Sequence, residues 1–406
     1  MTWLPPRSQL TPAQLAAVEA TAERPLILRG GPGSGKTVVL LHRARRLGEA
    51  SGRPERVATL VYTNVLRDFI RSATATLGLK AESVLTFDHW CRLRHLTLLG
   101  PPPTDAKGHP DFLAVRRNLL AHLRATTTTP ELDAVLVDEG QDLDEDCYAL
   151  LRLSARHVTV AFDPKQSLYR EPEEQDALRS LGRNPTELDL RSTYRACPYV
   201  VDLACEFIAD EEERAIFRAQ TETVQTERQF PLLYLAQDEA DERRRLVDIL
   251  RERLLRNERV AILFPTFHQV GLFADFLRDQ GILTDQQTQT DTQGRRPSID
   301  FTSGRPVVLT YHSAKGLTFD AILMPGVTRS AIRARASAAR RMLFVAATRA
   351  VHWVYLSSVE PSCNPAVREA MDSLRRRRRA TIQTVADLPR KGTPSPQPRP
   401  GDWTDI

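Results

Sequence analysis

The octapeptide Gly30-Gly31-Pro32-Gly33-Ser34-Gly35-Lys36-Thr37 constrains this chain more than any other stretch. It has the form GxxxxGK[ST], follows a short apolar run at residues 25–29 and opens a helical pattern at 37–47. Strand, glycine loop and helix in that order are the context in which the spacing works. Glycines without Cβ let successive N–H groups converge on a phosphate, and the helix N-terminus adds partial positive charge. In such a loop Lys36 reaches the β- and γ-phosphates of ATP and the Thr37 hydroxyl ligates Mg²⁺. A glycine-rich turn with no ligand is the competing reading.

An acidic partner lies about a hundred residues downstream. Residues 134–137, Ala-Val-Leu-Val, read as a buried strand that ends in Asp138-Glu139-Gly140-Gln141-Asp142. Carboxylates at the carboxyl end of a strand sit where open α/β sheets bind ligands. Asp138 is expected to hold Mg²⁺ and Glu139 to act as general base toward the attacking water. A solvated acidic turn is the alternative.

Short apolar runs recur at residues 57–62, 83–87, 133–137 and 157–162, then at 187–190, 231–235, 259–264, 306–310, 320–324 and 352–356. Helical patterns at 238–256, 267–280 and 337–349 fall among them. Such alternation predicts an α/β fold with doubly wound parallel sheets. Two series in 406 residues predict two lobes that divide near 182–186, covering 1–185 and 186–372. Residues 284–304 read as a long surface loop. Residues 373–406, with five consecutive arginines at 375–379 and a Pro-rich end, read as a disordered tail.

No apolar run approaches the ~18–20 residues that span a bilayer. The first ten residues lack a signal-peptide pattern, so a cytoplasmic chain with no membrane partner is expected. The five cysteines form no CxxC pair and read as reduced, mostly buried thiols. A net charge of +5 is compatible with a polyanionic partner and decides little alone.

Beyond the two nucleotide motifs, the chain resembles UvrD/Rep/PcrA-type superfamily 1 DNA helicases over roughly residues 9–356. Leu10-Thr11-Pro12-Ala13-Gln14 is similar to the adenine-reading motif of that family. Val61-Tyr62-Thr63-Asn64 and Thr86-Phe87-Asp88-His89-Trp90 are similar to its first strand-contacting motifs. The stretch from Asp163 to Tyr169 is similar to the next, and Thr193-Tyr194-Arg195 to the motif that opens the second lobe. Residues 311–317 (Tyr-His-Ser-Ala-Lys-Gly-Leu) and 345–350 (Val-Ala-Ala-Thr-Arg-Ala) complete the series in the family's order.

The resemblance implies two tandem RecA-like lobes with ATP in the cleft between them. It implies that Gln14 reads the adenine edge and Tyr194 stacks on the base. Gln166 would sense the γ-phosphate, and Arg195 and Arg349 would be arginine fingers that complete a catalytic set with Lys36 and Glu139. Tyr62, Thr63, Asn64, Trp90, Tyr169 and His312 would face the nucleic acid. Each residue also has a plainer reading. Gln14 three residues after Thr11 completes a capping box. Arg195 could form a surface ion pair and Gln166 could be a loop residue. Arg349 ends a helix, where a cation complements the dipole. Tyr62, Trp90 and Tyr169 could be core aromatics. On the functional side, His312 and Lys315 could touch backbone phosphates or link ATP to the strand.

The chain departs from the family at Val38, Phe162, Asp88, Glu171 and Thr318, which fall on nucleotide-base and strand contacts. The gaps between Trp90 and Asp138 and between Arg195 and His312 look too short for full accessory insertions. The implied activity is an ATP- and Mg²⁺-dependent motor on single-stranded DNA, moving 3′ to 5′, with RNA left open as a track. The rivals are a nucleotide-gated switch that licenses a partner such as a nuclease, and a passive DNA-binding module. Repair and defence against foreign DNA are analogies drawn from fold alone. The arginine run would add phosphate contacts and steepen the salt dependence of binding, or would simply be solvated.

Overall fold

The computed structural model describes residues 3–31, 33–106, 108–126, 129–163, 181, 184–190, 194–219, 221–223, 229–287, 297–328, 332 and 336–387. The first lobe contains α1 (Pro12–Glu19), β1 (Leu26–Arg29), α2 (Lys36–Ser51), β2 (Val57–Val61), α3 (Asn64–Thr74), β3 (Val84–Thr86), α4 (Phe87–Leu99), α5 (Phe112–Ala125), β4 (Leu132–Val137), α6 (Glu145–Ser154), β5 (Ala155–Phe162) and β6 (Thr186–Asp189). Its strands pair in parallel in the order β3-β2-β4-β5-β1-β6.

Every residue of β2 is buried, as are the last four of β4 and all of β5 except Arg156. Strands covered by helices on both faces need such continuous apolar runs. Side chains alternate across the sheet: Leu26 and Leu28 join the α1–α2 core, whereas Ile27 joins the α4–α5–α6 core. Side-chain caps set the helix starts, with Thr63, Thr86, Asp111 and Asp144 each accepting from a backbone N–H one turn in.

The second lobe runs β7 (Tyr194–Ala196), α7 (Pro198–Glu206), α8 (Glu211–Ala219), β8 (Thr221–Thr223), β9 (Leu232–Ala236), α9 (Glu239–Leu255), β10 (Val260–Phe264), α10 (Phe267–Asp279), β11 (Asp285–Gln286), β12 (Val307–Thr310), β13 (Phe319–Met324), α11 (Ala336–Ala347), β14 (Ala350–Val359), α12 (Pro365–Arg377) and β15 (Thr381–Thr384). Its main sheet is also parallel, in the order β11-β12-β10-β13-β14-β9-β15, with β7 and β8 forming a separate pair. The architecture is thus α/β, with two tandem sheets of RecA-like parallel form. A shared apolar cluster joins Val65, Leu66 and Phe69 of α3 to Ile299, Ala314, Leu317 and Leu343 of the second lobe. Burying each large apolar side chain contributes roughly 1.5–3 kcal/mol, so the lobes are packed together as well as chained.

Three sequence expectations are corrected. Residues 186–189, expected in the second lobe, form β6, which pairs with β1 from Leu26↔Thr186 to Arg29↔Asp189. The first lobe therefore extends past 185. The expected disordered tail from 373 is ordered to Asp387, because the first arginines form the last turn of α12 and β15 joins β9. Arg377 pairs with Glu206 and Arg379 with Asp202, so two of the five cations are neutralised within the protein. The loop at 284–304 includes the edge strand β11 and the buried Ile299. All five cysteines are buried and free, and no helix among the described residues is long and apolar enough to cross a membrane.

Candidate active site

β1 delivers the glycine loop to the edge of the cleft, where the Gly30 N–H donates to the Phe162 carbonyl at 3.1 Å. Gly33 (φ 72°) and Gly35 (φ 81°) hold left-handed conformations that other residues rarely adopt. A Cβ on Gly30 would lie 2.4 Å from Ser34 Oγ and 3.0 Å from the Leu190 carbonyl oxygen, and one on Gly35 would meet Gln14 Nε2 at 2.4 Å. Lys36 Nζ donates to the Gly30 and Gly31 carbonyls at 2.8 and 3.0 Å. Ser34 Oγ is buried with no hydrogen-bond partner among the described residues. A buried hydroxyl without a partner, a converging ammonium and a turn that no Cβ can enter fit a polyphosphate. Pro32 lies outside the described residues.

The acidic strand end sits directly beneath the loop. Thr37 Oγ1 donates to Asp138 Oδ2 at 2.6 Å, and the Glu139 N–H donates to Asp138 Oδ1 at 3.0 Å. Burial and the charge of Glu139 push the Asp138 carboxyl up, against the Thr37 hydrogen bond and Lys36. The Thr37 hydroxyl and the Asp138 carboxylate, whose charge burial disfavours, together fit a hard divalent cation. Glu139 has φ 56°, a strained conformation for a side-chain-bearing residue. Gly140 follows because a Cβ there would lie 2.3 Å from Val160 Cγ1. Gln141 secures the turn, donating from Nε2 to Glu139 and accepting from the Asp163 N–H at 3.1 Å.

The second lobe completes this cluster. Lys315 Nζ lies 2.7 Å from Asp142 Oδ2 and 3.5 Å from Glu139 Oε2. Burial would raise the Glu139 carboxyl, but Lys315, Lys36 and Arg349 outweigh it and hold Glu139 below the usual carboxylate range. Burial likewise disfavours the Lys315 cation, yet Glu139 and Asp142 hold its pKa above the ordinary value. Arg349 is buried and donates to the Val345 carbonyl at 3.0 Å, so it both terminates α11 and projects charge onto Glu139. Gln14 also fills two positions. It closes the capping box with Thr11, and its Nε2 donates to the Ser34 carbonyl at 3.1 Å. The backbone of Tyr194 and Arg195 lies in β7. Gln166 and Tyr169 lie outside the described residues.

Residues expected to face the polymer divide into two groups. Tyr62 is 44% exposed and packs edge-on against His312 across the interlobe cleft, with ring centroids 6.3 Å apart. Thr63 caps α3, and Asn64 Oδ1 accepts from Arg67. Trp90, by contrast, is buried among Phe87, Cys91 and Leu119, with the Arg94 guanidinium over its ring. It is a core aromatic, and the structure corrects its reading as a stacking surface.

Lys315, expected at backbone phosphates or as a link between ATP and the strand, pairs with Glu139 and Asp142. One further residue has no part in the sequence reading. Phe267, 39% exposed, opens α10 just past the end of β10, whose Phe264 is in register with Thr310 of β12. That register brings Phe267 and His312 to neighbouring strand ends. An aromatic directly after an apolar strand was the available signal.

Two family models match the chain: an AAA domain over residues 14–172 and a UvrD-like helicase C-terminal domain over residues 307–357. No curated protein matches it. Among solved structures, the C-terminal domain of a possible DNA helicase from Lactobacillus plantarum WCFS1 covers 47% of this chain and 98% of its own, at 17% identity and a TM-score of 0.34.

Proposed function

Because the chain belongs to the UvrD-type helicases, which are ATP-hydrolysing enzymes, we propose that it is a translocase on single-stranded DNA that moves 3′ to 5′. One observation carries this reading. A single loop of the second lobe presents His312 to Tyr62 at the strand-facing surface and, three residues later, Lys315 to Glu139 at the nucleotide site. A polymer that displaces this loop acts directly on the hydrolytic carboxylate.

In this mechanism Lys36 and the loop N–H groups hold the phosphates. Glu139 takes the proton of the attacking water, a role worth ~10²–10⁴ in rate. Thr37 and Asp138 hold Mg²⁺, which when bound neutralises charge on the β- and γ-phosphates. Gln166 contacts the γ-phosphate. Arg195 and Arg349 stabilise charge developing in the transition state, an effect of ~10³–10⁵ for such groups. Gln14 reads adenine and Tyr194 stacks on it, while Tyr62, Thr63, Asn64, Tyr169, His312 and Phe267 line the strand.

The test is steady-state ATP hydrolysis with single-stranded DNA, duplex DNA or single-stranded RNA, using Lys36→Ala as the blank. Stimulation by single-stranded DNA is expected. Glu139→Gln should bind ATP but turn over ~10²–10⁴ times more slowly, and normal turnover would refute the assigned base. A second reading is a nucleotide-gated switch for a partner such as a nuclease. It is favoured by the apolar tip of the α4–α5 hairpin, where Leu96, Leu99 and Leu113 are exposed. Hydrolysis indifferent to every polymer would select it.

A further inference from the structure

Residues 297–304 cross from the second lobe to the first and grip α3. Ile299 is buried there, and its N–H donates to Asp68 Oδ2 at 3.3 Å. The other oxygen of Asp68 accepts from Arg67 at 2.8 and 3.0 Å, and Arg67 in turn donates to Asn64 Oδ1 at 2.9 Å. An unbroken hydrogen-bonded path thus runs from the second lobe through Asp68 and Arg67 to the first residue of α3. Apolar contacts reinforce it, because Phe301 packs edge-on against Phe69 at 5.2 Å and Trp3 stacks on the same ring at 4.4 Å. Leu66, on the same helix, fills the space that a side chain at Gly316 would occupy. The helix that begins at the strand-facing turn Tyr62-Thr63-Asn64 is therefore fastened to the second lobe at several points along its length.

We propose that residues 297–304 form a coupling strap, with Asp68 as its positioning residue, that transmits second-lobe movement through α3 to the strand-contacting turn. Neither Asp68 nor Phe301 touches the nucleotide cluster, so removing either uncouples polymer from hydrolysis without impairing hydrolysis itself. The proposal rests on the translocase reading for its polymer readout.

The experiment measures polymer-free turnover, turnover at saturating single-stranded DNA and the half-saturating strand concentration for the wild type, Asp68→Ala, Asp68→Asn and Phe301→Ala. Polymer-free turnover should stay within about twofold, whereas stimulation should fall roughly 2- to 30-fold, the span of coupling changes known for such positions. Asp68→Asn, which keeps an acceptor for Ile299, should recover part of the loss. Undiminished stimulation in Phe301→Ala overturns the strap, and that variant decides alone if Asp68→Ala does not fold. If no polymer stimulates the wild type, the translocase reading fails and the strap is judged by hydrogen exchange. A non-hydrolysable ATP analogue should then alter exchange across residues 64–74 in the wild type and not in Phe301→Ala. An equal response in both overturns it.

Discussion

Replacing Arg43 with Met should loosen the helix that carries Gln14. Arg43 on α2 is completely buried. Its guanidinium donates to the carbonyls of Ala17 (3.2 Å), Val18 (3.1 Å), Ala20 (2.7 Å) and Thr21 (3.2 Å), and also to Thr159 Oγ1 (3.0 Å). It lies 3.0 Å from His157 Nε2 as well. The Ala17 and Val18 carbonyls are orphan acceptors in the last turn of α1, and those of Ala20 and Thr21 follow in the chain that leaves it. Methionine matches the length but donates nothing. Four of the six contacts are wholly buried, with Ala17, Val18, Thr159 and His157. At about 1.5 kcal/mol each for a charged donor they total about 6 kcal/mol. Burial, the largest effect on the arginine, and its neighbour Arg46 lower its pKa from the ordinary guanidinium range to about 10. Relief of that strain offsets about 3 kcal/mol. A net destabilisation of about 3 kcal/mol should appear as a lower urea midpoint, followed by tryptophan fluorescence, with weaker ATP binding alongside. Arg43→Lys keeps the charge but not the planar fork, and should lose most of the same stability. A midpoint shift worth less than about 1 kcal/mol in Arg43→Met would refute the reasoning.

The same network makes an acid-sensitive element. Burial and then the Arg43 charge lower His157 from 6.5 to about 4. Because the folded value is depressed, its contribution is complete above pH 6.5 and is lost as pH falls toward 4. His157→Gln should therefore flatten the stability–pH curve in that window, and an unchanged slope would contradict it. Truncation after Leu374 should lower the melting temperature of the second lobe, since it removes β15 from its pairing with β9 as well as the Arg377–Glu206 and Arg379–Asp202 pairs. Unchanged melting with a flatter salt dependence of strand binding would restore the arginine run as a phosphate-binding arm.

Strands buried on both faces were legible because continuous apolar runs such as Val57–Val61 have few other uses. Edge strands were legible only in part. The run at 187–190 marks β6 as a strand, but nothing local says that it pairs with β1 of the first lobe, and β15 (Thr-Ile-Gln-Thr) is polar and follows an arginine run that suggests disorder. The phosphate loop and acidic pair were legible because their chemistry depends on residues adjacent in sequence. Lys315 was harder to place, since its partners Glu139 and Asp142 lie on the other lobe and only tertiary packing unites them. Trp90 was misread because an aromatic in a strand-contacting motif carries no mark of whether its ring points inward.

The exit strand β6 fixes how far the lobes can travel. Leu190, just past it, donates to the Arg29 carbonyl at 2.7 Å, and its own oxygen borders Gly30. The second lobe begins at Tyr194, and the end of β7 is seated where the Cys197 N–H donates to the Val351 carbonyl at 2.7 Å. Four residue steps span at most about 14 Å. The chain is thus a short tether whose fixed post stands beside the phosphate loop. With so little slack, rotation of the second lobe must pull at that post, as a crank turns about its pin. A flexible insertion between Leu190 and Tyr194 would turn the crank into a leash, leaving the packed contacts between α3 and the second lobe to link their movements alone.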